Sequence, residues 1–423
     1  MNGTKRKFFI LFFLFLFAVF CIPSRAYAAG DLNLHTTKQP GNMVKLDWTA
    51  WDGAQRYVIY VSVGNNRNYT RKAEVSAESE NTYICKGISK KKTYYFKVEA
   101  LGKAVDEESG TQVLTEEAVK LYNGNIVSTT HQKYTYTEMK KDIALLEEKY
   151  SDYVQVEIIG KTADKRNIYD VILGNPEASK CVIFQASIHG REYMTSQLVM
   201  EQMEYYLDYY NKTFEKESYH DIFDRVCVHV VPMANPDGVT ISQSGFKGIR
   251  NASLRKKLKK MIGSRYPKNW KANARGVDLN NQFDHNFVYV KRLRKGSYAG
   301  YGGKKPVSEK ESKALVNLVK QVKPKAVVNY HAMGNVIYCR YGASKKMQKK
   351  VYRLSGKIRK LTGYSYMGLT DNAGFANWLV CEEGIPSCTV EIGRNVVPVP
   401  IKQFKTIWKK NKNVMAAAAK LYE

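Results

Sequence analysis

Cys181-Val182-Ile183-Phe184-Gln185-Ala186-Ser187-Ile188-His189-Gly190-Arg191-Glu192 is the stretch on which the reading of this 423-residue chain turns. Residues 181–188 are dense in apolar, β-branched and aromatic side chains, as expected of a strand covered on both faces. A helix-like segment, 193–210, follows at once. His189 and Glu192 therefore fall where a strand ends and a helix begins, and open α/β sheets form their ligand sites at such ends. Residues three apart on a first helical turn project to the same side. An imidazole nitrogen and a carboxylate oxygen are both good zinc ligands. A His and a Glu at this spacing also occur as ordinary surface pairs, so a third ligand is required.

Outward from this stretch the pattern alternates. Residues 138–150 place Met139, Ile143 and Leu146 on one helical face. Segments 154–159, 168–173, 226–233, 325–330 and 388–392 read as strands. Asn235-Pro236-Asp237-Gly238 is a strong turn, and Ser308 with Glu311 predicts a capping box for the helix that follows. Alternating strands and helices predict an α/β domain around a mixed, largely buried β-sheet, over residues 128–423. Within it, His331 directly follows the strand-like Ala326-Val327-Val328-Asn329-Tyr330. It is the natural third ligand, because a catalytic zinc takes three protein ligands and keeps one position open. The chain has seven histidines. His229 sits inside a strand and reads as a core residue, while His35, His131, His220 and His285 lie in loops without a partner pattern.

The remaining sequence divides as follows. Residues 1–28 carry Lys5-Arg6-Lys7, an apolar run from Phe8 to Ile22 and Ala26-Tyr27-Ala28, the pattern of a cleaved secretory signal peptide. The expected protein is secreted, extracellular or wall-associated, with membrane contact only through the signal segment. The formal net charge is +28, and loss of Lys5, Arg6, Lys7 and Arg25 with the signal leaves +24. Export argues against nucleic acid as the partner of this charge and favours an anionic cell wall or membrane surface, or a solvated basic surface with no specific partner. The basic stretch 245–275 reads first as a solvated insertion. Seven cysteines show no CxxC pair; Cys181 and Cys227 read as buried thiols, and a Cys381–Cys388 bridge stays open. Residues 30–115 alternate as short strands between Gly, Asn, Ser and Lys clusters, predicting an all-β immunoglobulin-like sandwich. With Trp48 as a core tryptophan and Tyr94 as a corner tyrosine, this segment resembles a fibronectin type III domain. Residues 116–127 read as a linker.

Seven stretches then occur in one order: Tyr134-Thr135-Tyr136, Gly160 to Tyr169, His189-Gly190-Arg191-Glu192, Asn235-Pro236-Asp237-Gly238, Gly276-Val277-Asp278-Leu279-Asn280, His331 with Gly334, and Thr389-Val390-Glu391-Ile392-Gly393. In these the domain resembles the carboxypeptidase A-like zinc carboxypeptidases over residues 130–423. The resemblance implies one Zn2+ ion held by His189, Glu192 and His331. It makes Glu391 the general base that takes a proton from the attacking water and hands it to the leaving amine. Glu391 suits this physically, because it ends a buried-looking strand. Asp278 would accept a hydrogen bond from His189 and fix its tautomer. The stretches 270–280, 373–378 and 393–400 bring the domain nearer to bacterial γ-D-glutamyl-diamino-acid peptidases, whose substrates are peptidoglycan stem peptides.

Departures from the family pattern concern the substrate. An arginine that clamps the terminal carboxylate is replaced in Asn280-Asn281, so Asn281 carries no charge. The arginine that steadies the oxyanion falls on Lys271, which keeps the charge but loses the planar fork. Arg191 matches a substrate-contacting position. The mobile tyrosine has no clear counterpart; Leu369 and Tyr366 lie nearest by spacing. The expected function is a secreted zinc metallocarboxypeptidase acting on peptide or muropeptide amide bonds. The alternatives are a carboxypeptidase on ordinary peptides and a surface-binding protein with an inert peptidase domain.

Overall fold

The structure is a computed structural model. It describes residues 32–423 except 33, 52, 90–91, 103–111, 116–118, 121–125, 263–266 and 289–292. The expected signal segment, 1–28, lies outside the described residues. No described helix is long and apolar enough to cross a membrane. The described residues divide into two compact units: those within 32–34, 48–81 and 95–120 form one, and those within 35–47, 82–94 and 121–423 the other.

The first unit is built on an antiparallel sheet. Its strands run Thr70–Ser76, Ala54–Val63, Tyr94–Gly102 and Gln112–Thr115 in spatial order, with Val119–Lys120 also paired to Tyr94–Gly102. The expected alternation holds: Phe96, Val98 and Ala100 are buried, and the residues between them are half-exposed. Trp48 is buried edge-on to Tyr57, with ring centroids 5.3 Å apart. The second unit contains a smaller antiparallel sheet of His35–Gln39, Met43–Asp47 and Thr82–Cys85. The N-terminal region is therefore β-structured, as two small antiparallel sheets.

The rest of the second unit is an α/β domain on an eight-stranded mixed sheet. The strands are β1 (Val154–Lys161), β2 (Asn167–Leu173), β3 (Cys181–Gln185), β4 (Cys227–Val231), β5 (Ala326–His331), β6 (Val336–Tyr338), β7 (Ser365–Tyr366) and β8 (Ser387–Glu391). Their spatial order is β7-β6-β8-β5-β3-β4-β2-β1. The middle four, β8-β5-β3-β4, are parallel, with antiparallel β2 and β1 on one flank and β6 antiparallel to β8 on the other. Side chains alternate between two cores because a strand has a period of two. Val182, Phe184, Val328 and Tyr330 join helices Tyr136–Lys149, Met194–Asp208, Lys345–Thr362 and Val414–Lys420. Ile183 and Val327 join helices Lys310–Val322 and Phe375–Cys381 through Leu315, Leu318, Phe375 and Trp378. With helices on both faces, the central strands carry the near-continuous apolar runs seen in the sequence.

Two local expectations are corrected. The capping box forms at Thr135 and Glu138, where each side chain bonds the other's backbone N–H. It does not form at Ser308 and Glu311. Helix Lys310–Val322 starts one residue later, at Glu309, without a side-chain cap. Ser308 instead donates its backbone N–H to Gln282 Oε1 at 2.6 Å, and Glu311 is buried beneath Asn273. The Asn235–Gly238 turn is the first turn of helix Pro236–Ser244, capped by Asn235 Oδ1 accepting from the Gly238 N–H at 2.9 Å.

Candidate metal centre and active site

The parallel strands end together, and their C-terminal edge carries the polar residues. β5 and β8 pair in register, so His331 stands beside Glu391 at the two strand ends. Neighbouring strands are ~4.8 Å apart, and register partners share a face. One strand further on, the chain leaves β3 through a tight turn with Ser187 at φ 49°. The Ser187 N–H donates to Thr195 Oγ1 at 2.9 Å, which ties the turn to the following helix. Gly190 is required here: a Cβ would lie 2.3 Å from the Gly238 carbonyl oxygen. Its N–H donates to the Lys271 carbonyl at 2.9 Å, and Asn235 Nδ2 donates to the Ile188 and Lys271 carbonyls. The sequence motifs around 189, 235 and 271 are thus stitched into one scaffold.

On that scaffold His189, Glu192 and His331 converge, all buried, with ligand atoms within 4.8 Å of one another. His189 Nδ1 lies 2.8 Å from Glu192 Oε1, and His331 Nδ1 lies 3.1 Å from Glu192 Oε2. Tetrahedral ligands about 2.05 Å from zinc stand about 3.3 Å apart, so this donor set suits that ion. His189 Nε2 faces Asp278 Oδ1 at 3.2 Å. Asp278 is held in turn by the Gly300 N–H at 2.9 Å and the Asn280 N–H at 3.3 Å. The carboxylate keeps the proton on Nε2 and turns the Nδ1 lone pair toward the shared centre.

The charges follow from burial and pairing. Burial favours the neutral acid at Asp278, but His189, Lys271 and the Gly300 N–H outweigh it and hold the carboxyl well below its usual range. Burial is likewise overcome at Glu192, where His189 and His331 keep the carboxylate ionised. Glu391 is different. Burial and the nearby Glu192 charge push it up to about 8, against the lowering pull of His189, Lys271 and Arg191. Its Oε2 is buried without a hydrogen-bond partner. A buried carboxyl with a free oxygen beside the His189, Glu192 and His331 cluster has the geometry of a proton acceptor.

A cavity of about 330 Å³ opens at this edge, lined by His189, His331, Glu391, Lys271 and Asn280 among others. Asn280 Oδ1 also accepts from the Phe375 N–H at 3.0 Å, leaving its amide for the cavity. Arg191 is half-buried, and its Nε has no partner. Asn281 does not line the cavity; it ends the short 3-10 helix Leu279–Asn281. Of the further lining residues, Tyr338, Tyr341, Thr370 and Asn372 lie outside the stretches marked in the sequence, while Asn377 and Thr389 lie within them without an assigned role. Thr389 was findable, because it precedes Glu391 by two on one strand and shares its face. The structure shows which tyrosines lie at the cavity. Leu369 is 68% exposed and Tyr366 packs on Arg359, while the tyrosines that face the cavity are Tyr338 and Tyr341.

Comparison with known proteins agrees with this geometry. The zinc carboxypeptidase family model matches residues 139–413. The chain is 30% identical over 293 residues to γ-D-glutamyl-L-diamino acid endopeptidase 1 of Lysinibacillus sphaericus, covering 68% of this chain and 72% of that protein. It is 27% identical over 338 residues to the uncharacterized protein YqgT of Bacillus subtilis, covering 76% and 88%. The structure of thrombin-activatable fibrinolysis inhibitor shares the fold, with a TM-score of 0.56 and 19% identity over 70% of this chain and 79% of that one. The chain belongs to the zinc carboxypeptidase family.

Proposed function

We propose that this protein is an exported zinc peptidase that hydrolyses amide bonds in peptidoglycan stem peptides of the γ-D-glutamyl-diamino-acid type. The observation that carries the reading is the convergence of His189, Glu192 and His331 within 4.8 Å at the edge of a cavity that Glu391 also lines. The named activity of the Lysinibacillus sphaericus relative supports the substrate class. The lining supports it too. Lys271 is the one Lys or Arg among the described lining residues, and the rest of the wall is rich in amides and hydroxyls from Asn280, Asn372, Asn377, Thr370 and Thr389. Such a wall suits a polar amino-acid residue with several hydrogen-bonding groups better than an apolar side chain. Asn281 supplies no fork for a terminal carboxylate, which disfavours strict release of C-terminal residues.

In this reading His189, Glu192 and His331 hold the ion. When bound, zinc polarises the scissile carbonyl and acidifies the attacking water. Asp278 keeps His189 in its ligating tautomer. Glu391 accepts the proton of the attacking water on its free oxygen and returns it to the leaving amine. The Lys271 ammonium meets the negative charge that develops on the carbonyl oxygen. Arg191 contacts the substrate at the rim. Residues 1–28 direct export, and residues 30–115 form a spacer or wall-contacting domain. The test is elemental analysis for zinc, followed by hydrolysis of γ-D-Glu-diaminopimelate peptides and ordinary L-peptides side by side. Cleavage of the first set is expected. Cleavage of L-peptide ends alone would replace the substrate assignment, and a metal-free, inert protein after zinc loading would remove the peptidase reading.

A further inference from the structure

Away from the metal centre, at the opposite end of β3 and β4, the sheet holds a second cluster of reactive groups. Cys181 and Cys227 are the first residues of two adjacent parallel strands and pair in register. His229 lies two residues beyond Cys227 on the same face of β4, and its Nδ1 meets Asp170 Oδ2 on β2 at 2.7 Å. Asp170 is fully buried and its other oxygen has no hydrogen-bond partner. The His229 side chain is 10% exposed and gives the group its opening to solvent. Strands rise ~3.3 Å per residue, so the cluster sits on the order of 13 Å from the strand ends that carry the metal ligands.

We propose that Cys181 and Cys227 form a reversible disulfide, an oxidation site separate from the metal centre, with Cys227 as the attacking thiolate, Cys181 as the resolving thiol and His229–Asp170 as the pair that holds the thiolate. Neighbouring strands ~4.8 Å apart fall inside the ~4.4–6.8 Å range of Cα separations for disulfides. Register partners in a parallel pair keep their Cβ atoms somewhat wider than the usual disulfide, so the bond draws the strands together and is easily reduced. The electrostatics agree. Hydrogen bonds from Cys181 and His229 pull Cys227 down to about 5, while Asp170 and Cys227 overcome burial and lift His229 to about 10. A thiolate paired with an imidazolium is the reactive form of cysteine.

The oxidant is hydrogen peroxide. The Cys227 thiolate attacks one peroxide oxygen, the O–O bond breaks, and the departing hydroxide takes the His229 proton as water. The Cys181 thiol then attacks the sulfenic sulfur, forming the S–S bond and releasing a second water. Two thiols lose two electrons, and one peroxide becomes two waters. Two equivalents of an external thiol reverse the change. The same sheet supplies a comparison pair: Cys339 and Cys388 lie one step beyond the Tyr338–Thr389 register pair, are completely buried, and have no histidine partner among the described residues.

The test is differential alkylation of the full zinc-loaded chain during titration with peroxide, with peptide mapping by mass spectrometry. A peptide linked through Cys181 and Cys227, two hydrogens lighter and restored by thiol, should form before any change at Cys339 or Cys388. Cys181→Ser should leave Cys227 as a sulfenic acid that dimedone traps. His229→Gln should slow the oxidation about tenfold or more with the fold intact by circular dichroism. The proposal is overturned if both thiols stay alkylatable in the folded wild-type protein at excess peroxide. It is equally overturned if Cys339 and Cys388 oxidise first or as fast.

Discussion

Glu311 should make this protein lose stability as the pH rises through the neutral range, and Glu311→Gln should abolish that loss. Glu311 is 1% exposed on helix Lys310–Val322. Burial, and after it the Asp237 and Glu309 charges, raise its carboxyl from 4.5 to about 8. Its one described hydrogen bond is the Asn273 amide at 3.3 Å, and its Oε1 has none. Below pH 4.5 the acid is neutral in both folded and unfolded chains and contributes no pH dependence. Between 4.5 and about 8 the unfolded chain releases this proton and the folded chain keeps it, so stability falls by about 1.4 kcal/mol per pH unit. Above that range the penalty levels off at roughly 5 kcal/mol, undiscounted because the group is buried. A glutamine keeps the acceptor for Asn273 and removes the charge. Guanidinium unfolding of both proteins from pH 4.5 to 8.5 should give midpoints that start close and diverge, with the variant roughly 4 kcal/mol more stable at pH 8. A difference that stays constant with pH, or that favours the wild type increasingly at alkaline pH, would refute the reasoning.

Three other outcomes are expected. Glu391→Gln should lower kcat by about 10²- to 10⁴-fold while zinc content, read by elemental analysis, stays unchanged. Asp278→Asn removes the negative charge that fixes the tautomer of His189, and competition with a chelator should show zinc affinity lower by about 10- to 100-fold. Arg166 donates to Asp164 at 2.6 Å and to Asp237 at 2.7 Å with all three groups buried. Arg166→Met takes the shared buried cation from both carboxylates, leaving Asp164 the Arg250 and Asn251 N–H groups and Asp237 the Asp164 N–H, and should cost about 3 kcal/mol in denaturant unfolding, mostly at pH values where they are charged.

The His189, Glu192 and His331 cluster was legible because strand ends are visible in sequence. Apolar runs that break off at His189 and His331 mark the same edge of a parallel sheet, and the register of β5 and β8 then adds Glu391. The cavity wall was less legible. Tyr338, Thr370 and Asn372 reach it from the segment joining β5 to β8, and no periodicity relates them. Their meeting depends on how that connection folds back, which is a tertiary fact. Asn281 shows the converse: adjacent to Asn280 in sequence, it turns out of the cavity because the two occupy successive positions of a 3-10 turn. At Ser308 and Glu311 a local rule competed with a distant partner, and Gln282 won. Cys181 and Cys227 were each visible as strand residues, but their pairing required the β3–β4 register.

The side-by-side placement of His331 and Glu391 separates what must stay fixed from what is free to vary. Backbone bonds between two central strands set the spacing between an imidazole of the candidate metal cluster and the group that would move the proton, so no loop has to hold it. The residues between them, 332–390, contribute most of the cavity wall yet are anchored at both ends by that pairing. Insertions or exchanges in this connection can therefore redirect which peptide is accepted while the chemistry stays where it is. One scaffold can in this way serve very different peptide substrates.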